Sequence, residues 1–432
     1  MLLELRGLAL DDTTRLFFDL VAVGPIVEKT VTSLDRIVGE LSQTKFTYPS
    51  SYRLREIAAL RRLSPSTHRL PPCPSSPGST PKHTFRTLIH KSVSQARTAA
   101  SLGSAISVEN QGIVETRDGF DMEVFEQGDC SGAGIPFDST LSRDEVKRHS
   151  PPPENLRTDL IEALFVTTKA QNTTGAISRM LPRLTPRSTI VLLQNGMGIY
   201  EDLVEKLFRN PESRPHFIIA SNTHGAWLKS PLHVVHAGVG DIEFGIIPDS
   251  RGRDFEASLS DESKPLHERE LSLDDIARQG EPYHAEYSSL RDTAAILSSL
   301  DGLSCKWSRM SDVQLAMRKK LVVNSVVNPL TAILGCRNGA LFKDGASKRM
   351  LHDICTEASA AFQAQLEADT HAVLGSLAPD AERSQAPLGR MPHELQADML
   401  EQEVTRVAQL TRGNISSMLS DIRKGRPTEI SS

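Results

Sequence analysis

Between residues 84 and 248 the chain alternates short β-branched apolar runs with stretches of helical periodicity, and that alternation restricts it to an α/β fold. The runs TFRTLIH, ALFVTTK, STIVLLQN and HFIIASN are each brief, apolar and followed by polar residues. Strands of that kind are covered on both faces, as in a doubly wound, mostly parallel sheet. From 286 to 432 the pattern changes to sustained helical periodicity, for example in VQLAMRKKLVVNSVVNPLTAIL. An α/β sheet domain over 84–249 followed by an all-helical domain over 286–432 is therefore predicted. Residues 1–83 form a separate N-terminal segment ending in the Pro/Ser-rich stretch RLPPCPSSPGSTPK, which reads as a linker. Residues 250–285 are charged and nearly free of large apolar side chains, and read as a solvated, low-complexity insertion.

Composition narrows the function. The net charge is −5 with Lys and Arg spread along the chain, which argues against nucleic acid as a partner. Five cysteines form no CxxC pair and leave an odd count, so a disulfide framework and a zinc site are both disfavoured and no metal is expected. No run is long and apolar enough to span a bilayer, and the acidic first residues do not suit a targeting peptide. A cytoplasmic protein acting on a small molecule is the expectation. Whether two copies pair as a homodimer stays open.

Chemistry concentrates in residues 319–342, KKLVVNSVVNPLTAILGCRNGALF. Lys320, Asn324 and Asn328 recur every four residues, so one helix face carries a cation and two carboxamides. Leu321, Val322, Val323, Val326 and Val327 surround them, and Pro329 is expected to kink or end the helix. A lysine desolvated in such surroundings can donate a proton near neutral pH, and amides can hold a carboxylate or carbonyl. The same spacing also suits a lysine reaching solvent and two asparagines bonding backbone, which is the commoner outcome on pattern alone. A second element, VLLQNGMGIYEDL (191–203), runs from a strand through Asn195-Gly196-Met197-Gly198 into a helix. Glycines there permit close backbone approach to a ligand, although an ordinary Asn-Gly turn reads the same way. A third, NISSMLSDIRKGRPTEI (414–430), places Ser417 on a helical stretch and Glu429 beyond its Gly/Pro break.

The string KLVVNSVVNPLTAILGCRNG resembles the signature of the NADPH-dependent ketopantoate reductases (2-dehydropantoate 2-reductases), and NGMG before it and NISSML…E after it stand in that family's order. SNTHGA (221–226) and HAGVGDIEFG (236–245) also resemble family sequence. The resemblance implies a Rossmann-like sheet domain joined to a helical domain, and reduction of 2-dehydropantoate to pantoate on the way to pantothenate and coenzyme A. It implies Lys320 as the general acid, and Asn195, Asn324, Asn328, Ser417 and Glu429 as substrate-binding residues. NADP is the implied cofactor, with Lys91, Lys169, Asn195 and Gly196 near it. One departure stands out. The family's GxGxxG phosphate loop has no counterpart, since no glycine occurs from position 40 to 77, and the first βα unit is therefore expected to be imperfect. A catalytically impaired relative, or a reductase of another 2-keto acid, remains the alternative.

Overall fold

The computed structural model describes residues 2–5, 86–90, 93–118, 120–124, 135–136, 160–377 and 390–429. Its centre is a nine-stranded sheet. In chain order the strands are β1 (Leu2–Leu5), β2 (Arg86–His90), β5 (Asp121–Val124), β6 (Ile135–Pro136), β7 (Ala163–Val166), β8 (Thr189–Leu192), β9 (His216–Asn222), β12 (Ile242–Ile246) and β13 (Cys305–Trp307). They lie side by side as β13-β12-β9-β8-β7-β1-β2-β5-β6. A smaller sheet, in the order β10-β11-β3-β4, is made by β3 (Ile106–Asn110), β4 (Ile113–Arg117), β10 (Gly225–Ser230) and β11 (His233–Gly238).

Every residue of β7, β8 and β9 is buried, as their unbroken apolar runs require, and the three pair in parallel. Alternate side chains feed two cores. Leu88, Phe165, Val191 and Ile218 pack on one face, with Leu290, Ala294 and Leu297 of helix α5 (His284–Ser298). Ile89, Leu164, Ile190 and Phe217 pack on the other, with Ile177 of α2 (Ala170–Ser178) and Leu203 of α3 (Ile199–Lys206). A doubly covered, parallel-rich sheet is therefore present as expected; α1 (Val93–Ser101) follows β2.

The imperfect first unit has a definite form. Strand β1 is antiparallel to both neighbours: Leu2 lies opposite Ile89 and Val166, and Leu5 opposite Arg86 and Ala163. Strand β1 therefore ends, at Leu5, at the edge where the parallel strands begin, opposite the edge where β7 and β8 end.

Segment 250–285 differs from the solvated insertion expected. Phe255, Ile276 and Ala277 are buried in the sheet core, the last two at the end of the short helix α4 (Leu273–Ile276). The charges satisfy one another locally: Asp275 accepts from the backbone and hydroxyl of Ser258, and Arg253 pairs with Glu281 at 2.8 Å. With Leu273 packing beside them, Phe255, Ile276 and Ala277 dock a stretch whose other side chains are largely exposed.

The helical part is built on α6 (Met310–Leu334), α7 (Gly345–Leu377), α8 (Ala397–Leu410) and α9 (Ser417–Arg423). Helix α6 belongs to two cores: Met310 and Val313 pack on the sheet, and Val322, Val323, Val326, Val327 and Leu330 pack with Cys355 of α7 and Val404 of α8. Pro329 does not end α6, which runs on to Leu334 and stops at Gly335 in the left-handed conformation. Among the described residues no helix is long and apolar enough to cross a membrane.

Asp292 of α5 is only 5% exposed, and burial pushes its carboxyl up to about 7. A carboxyl that binds its proton more tightly in the folded chain makes that chain lose stability as pH rises from about 4 to about 7, with a constant penalty above. Asp292→Asn is expected to raise the thermal midpoint at pH 8, by up to roughly 4 kcal/mol of stability, with the gain vanishing towards pH 4. Equal midpoints at pH 8 in a calorimetric comparison would refute this.

Candidate active site

Lys320 sits midway along α6, where the helix passes from the sheet core to the helical core. Its ammonium donates to Oδ1 of Asn195 and to the backbone oxygen of Asn222, both at 2.6 Å. Asn195 follows β8 and Asn222 ends β9, so both acceptors lie at the edge where the parallel strands terminate. That edge is where ligands bind in open α/β sheets. Burial pushes the Lys320 ammonium down to about 8, against the opposing pull of the Glu429 carboxylate. An ammonium has three donors, and two are spent on these oxygens. The third is available to a ligand in the small cavity lined by Asn195, Gly196, Met197, Lys320 and Asn324.

The turn holding Asn195 takes the predicted form. Gly196 and Gly198 adopt φ of 109° and 81°, which side-chain-bearing residues rarely reach, and Gly198 caps the start of α3. Asn324 faces the cavity from α6, half-buried; Asn328, one turn on, is half-buried but not part of its lining. Ser417 lies exposed in the first turn of α9. Its neighbour Ser416 is buried, caps α9 by accepting from the Leu419 amide, and receives the Thr331 hydroxyl at 2.7 Å. That bond clamps α9 to α6 just beyond Asn328.

Lys169, at the start of α2, donates to Asp421 Oδ2 at 2.8 Å and to the oxygen of Pro427 at 2.9 Å. It thereby ties the last described segment to the sheet, which brings Glu429 within electrostatic reach of Lys320. Lys91 lies outside the described residues. Lys320, Asn195, Gly196, Asn324 and Glu429 thus meet at one edge, with Asn328 and Ser417 flanking along α6 and α9.

Sequence reasoning missed two features. The carbonyl of Asn222 is a backbone acceptor, and a backbone oxygen leaves no mark in residue identity. Ser416 did leave one, a serine three residues before the Leu419 amide it caps, which is the ordinary N-cap spacing.

A family model described as "Ketopantoate reductase PanE/ApbA" matches residues 135–249, and one described as "Ketopantoate reductase PanE/ApbA C terminal" matches 312–432, together more than half of the chain. This chain belongs to the ketopantoate reductase family. The first match contains Asn195 and Gly196, the second Lys320, Asn324, Asn328, Ser417 and Glu429. A Schizosaccharomyces pombe protein named "Probable 2-dehydropantoate 2-reductase" is 28% identical over 60% of this chain and 67% of its own length. The 2-dehydropantoate 2-reductase of Vibrio cholerae is 29% identical over 67% of this chain and 75% of its own length. Among solved structures, a PanE/ApbA family ketopantoate reductase from Ralstonia eutropha JMP134 aligns over 77% of each chain, with 15% identity and a TM-score of 0.45.

Proposed function

We propose that this ketopantoate reductase family member reduces 2-dehydropantoate to pantoate, with Lys320 protonating the carbonyl oxygen. The observation that carries the reading is the Lys320 ammonium, fixed by two oxygens in the wall of a cavity that Asn195 and Asn324 also line. In the reaction the keto carbon gains a hydride and its oxygen gains the lysine's proton, giving the hydroxyl. Burial lowers the pKa of Lys320 to about 8, near the working pH, which suits proton donation. Asn324 and Asn328 would hold the substrate's oxygens from the same helix face, while Ser417 and Glu429 would approach from the α9 side. Much of the rate would then come from orientation.

NADPH, when bound, supplies the hydride. The described residues fit one end of that molecule and not the other. The Asn195–Gly198 turn offers glycine backbone beside the lysine, as a nicotinamide requires. The pyrophosphate needs amides from a glycine loop and a helix start that follow a first strand aligned with its neighbours. Here β1 runs the opposite way and ends, at Leu5, at the far edge. Strand reversal favours a second reading, a relative that keeps the substrate cleft and holds the dinucleotide poorly.

The test is direct: purified chain, 2-dehydropantoate and a large excess of NADPH, followed by loss of NADPH absorbance and by assay for pantoate. Pantoate formed in step with NADPH loss supports the first reading. No product at any NADPH concentration leaves the second. Faster turnover of another 2-keto acid would reassign the substrate and keep the chemistry.

A further inference from the structure

The carbonyl that holds Lys320 belongs to a corner built with unusual care. Asn222 ends β9, and its side-chain oxygen accepts from the amide of His224 at 3.0 Å. The intervening Thr223 is fastened to Asp241: its amide donates to the Asp241 oxygen at 2.9 Å, and its hydroxyl accepts from the Asp241 amide at 2.9 Å. His224 is 8% exposed and His236 of β11 is 4% exposed. The amide of Gly240 donates to Nδ1 of His224 at 3.0 Å, so that nitrogen is an acceptor and the ring proton sits on Nε2. His224 Nε2 then donates to the oxygen of Leu303 at 2.9 Å, and Nε2 of His236 lies 3.0 Å from the same Nδ1. Gly240 has no freedom to be anything larger, since a Cβ there would lie 2.5 Å from the carbonyl carbon of Thr223.

We propose that His224 is a positioning residue for Lys320, its ring locking the Asn222–His224 corner so that the Asn222 carbonyl faces the ammonium. The ring joins three elements, β11, the Gly240 turn and the turn at Leu303, to the one backbone oxygen that meets Lys320 from β9. A hydrogen bond to the charged form of a lysine keeps it protonated against the desolvation of its site. Losing the Asn222 carbonyl therefore lowers the pKa of Lys320 further. The charged and titratable groups around this arrangement are His236, Asp241 with Arg406 in electrostatic reach, and Glu429 beside Lys320.

The proposal rests on Lys320 as the acid, yet its test needs no turnover and no cofactor. Purified full chain is acetylated with acetic anhydride across a pH series, and the Lys320 peptide is quantified by mass spectrometry. In His224→Phe the titration midpoint of Lys320 is expected to fall by about one pH unit, as for loss of one charge-stabilising hydrogen bond. His224→Asn puts an oxygen where Nδ1 stood and is expected to restore most of the shift. Should the phenylalanine variant not fold, His224→Gln serves, because it reaches Leu303 and offers no acceptor at the Nδ1 position; the same fall is expected. An unchanged midpoint in a folded Phe or Gln variant overturns the proposal. If Lys320→Ala leaves turnover intact, the acid assignment falls while the titration result still stands, so the two failures are separable.

Discussion

Lys320→Ala is expected to lower kcat/KM for NADPH-driven reduction of 2-dehydropantoate by on the order of 10² or more, with little change in the thermal midpoint. The size follows from the role. A carbonyl oxygen that gains negative charge as hydride arrives needs a proton from a fixed donor, and no other described cation is held by both Asn195 and Asn222. Stability changes little because removing a desolvated ammonium removes its burial cost along with its bonds. The freed Asn195 oxygen is exposed and water takes the lysine's place there. The pH profile gives a second check. Only the protonated lysine can act, so wild-type kcat/KM is expected to fall as pH rises through about 8. A Lys320→Ala variant that keeps both the wild-type rate and that falling limb would falsify the assignment.

How much of this could be read in advance depends on whether the information sits in side chains or in backbone. Unbroken apolar runs predicted β7, β8 and β9, because burial on both faces selects residue type at every position. The Lys320, Asn324, Asn328 stripe predicted one shared face because helical spacing alone determines it. Residues 250–285 misled, since their composition is charged while docking depends on a few apolar residues, Phe255, Leu273, Ile276 and Ala277. Lys169 was placed near the cofactor on resemblance, and in the fold its ammonium reaches Asp421, a contact across 252 positions that no local pattern encodes. The reversal of β1 was equally hidden. A four-residue segment such as LLEL reads nearly the same in either direction, so its sequence does not specify which way it pairs.

That reversal underlies the second large effect: this chain is expected to bind NADPH far more weakly than a reductase with an intact first unit. Where a cradle forms, glycine amides and the first helix's N-terminus donate to the pyrophosphate, each such bond to a charged group being worth about 1.5–3 kcal/mol. Losing two of them weakens binding by roughly 10²–10⁴-fold. Two independent observations point the same way. No glycine occurs from position 40 to 77, the stretch of chain ahead of β2. And Leu5, the last residue of β1, lies level with Arg86 and Ala163 at the start of the parallel strands, while Asn195 and Lys320 stand at their ends. The proposed substrate side does not share this defect, because its residues come from α6, the β8 turn, and α9 with the segment that follows it. Titration calorimetry of the purified chain is therefore expected to give no binding heat for NADPH in the micromolar range. Micromolar or tighter affinity would mean that residues between β1 and β2 supply the phosphate contacts themselves, and the argument from strand direction would then be wrong.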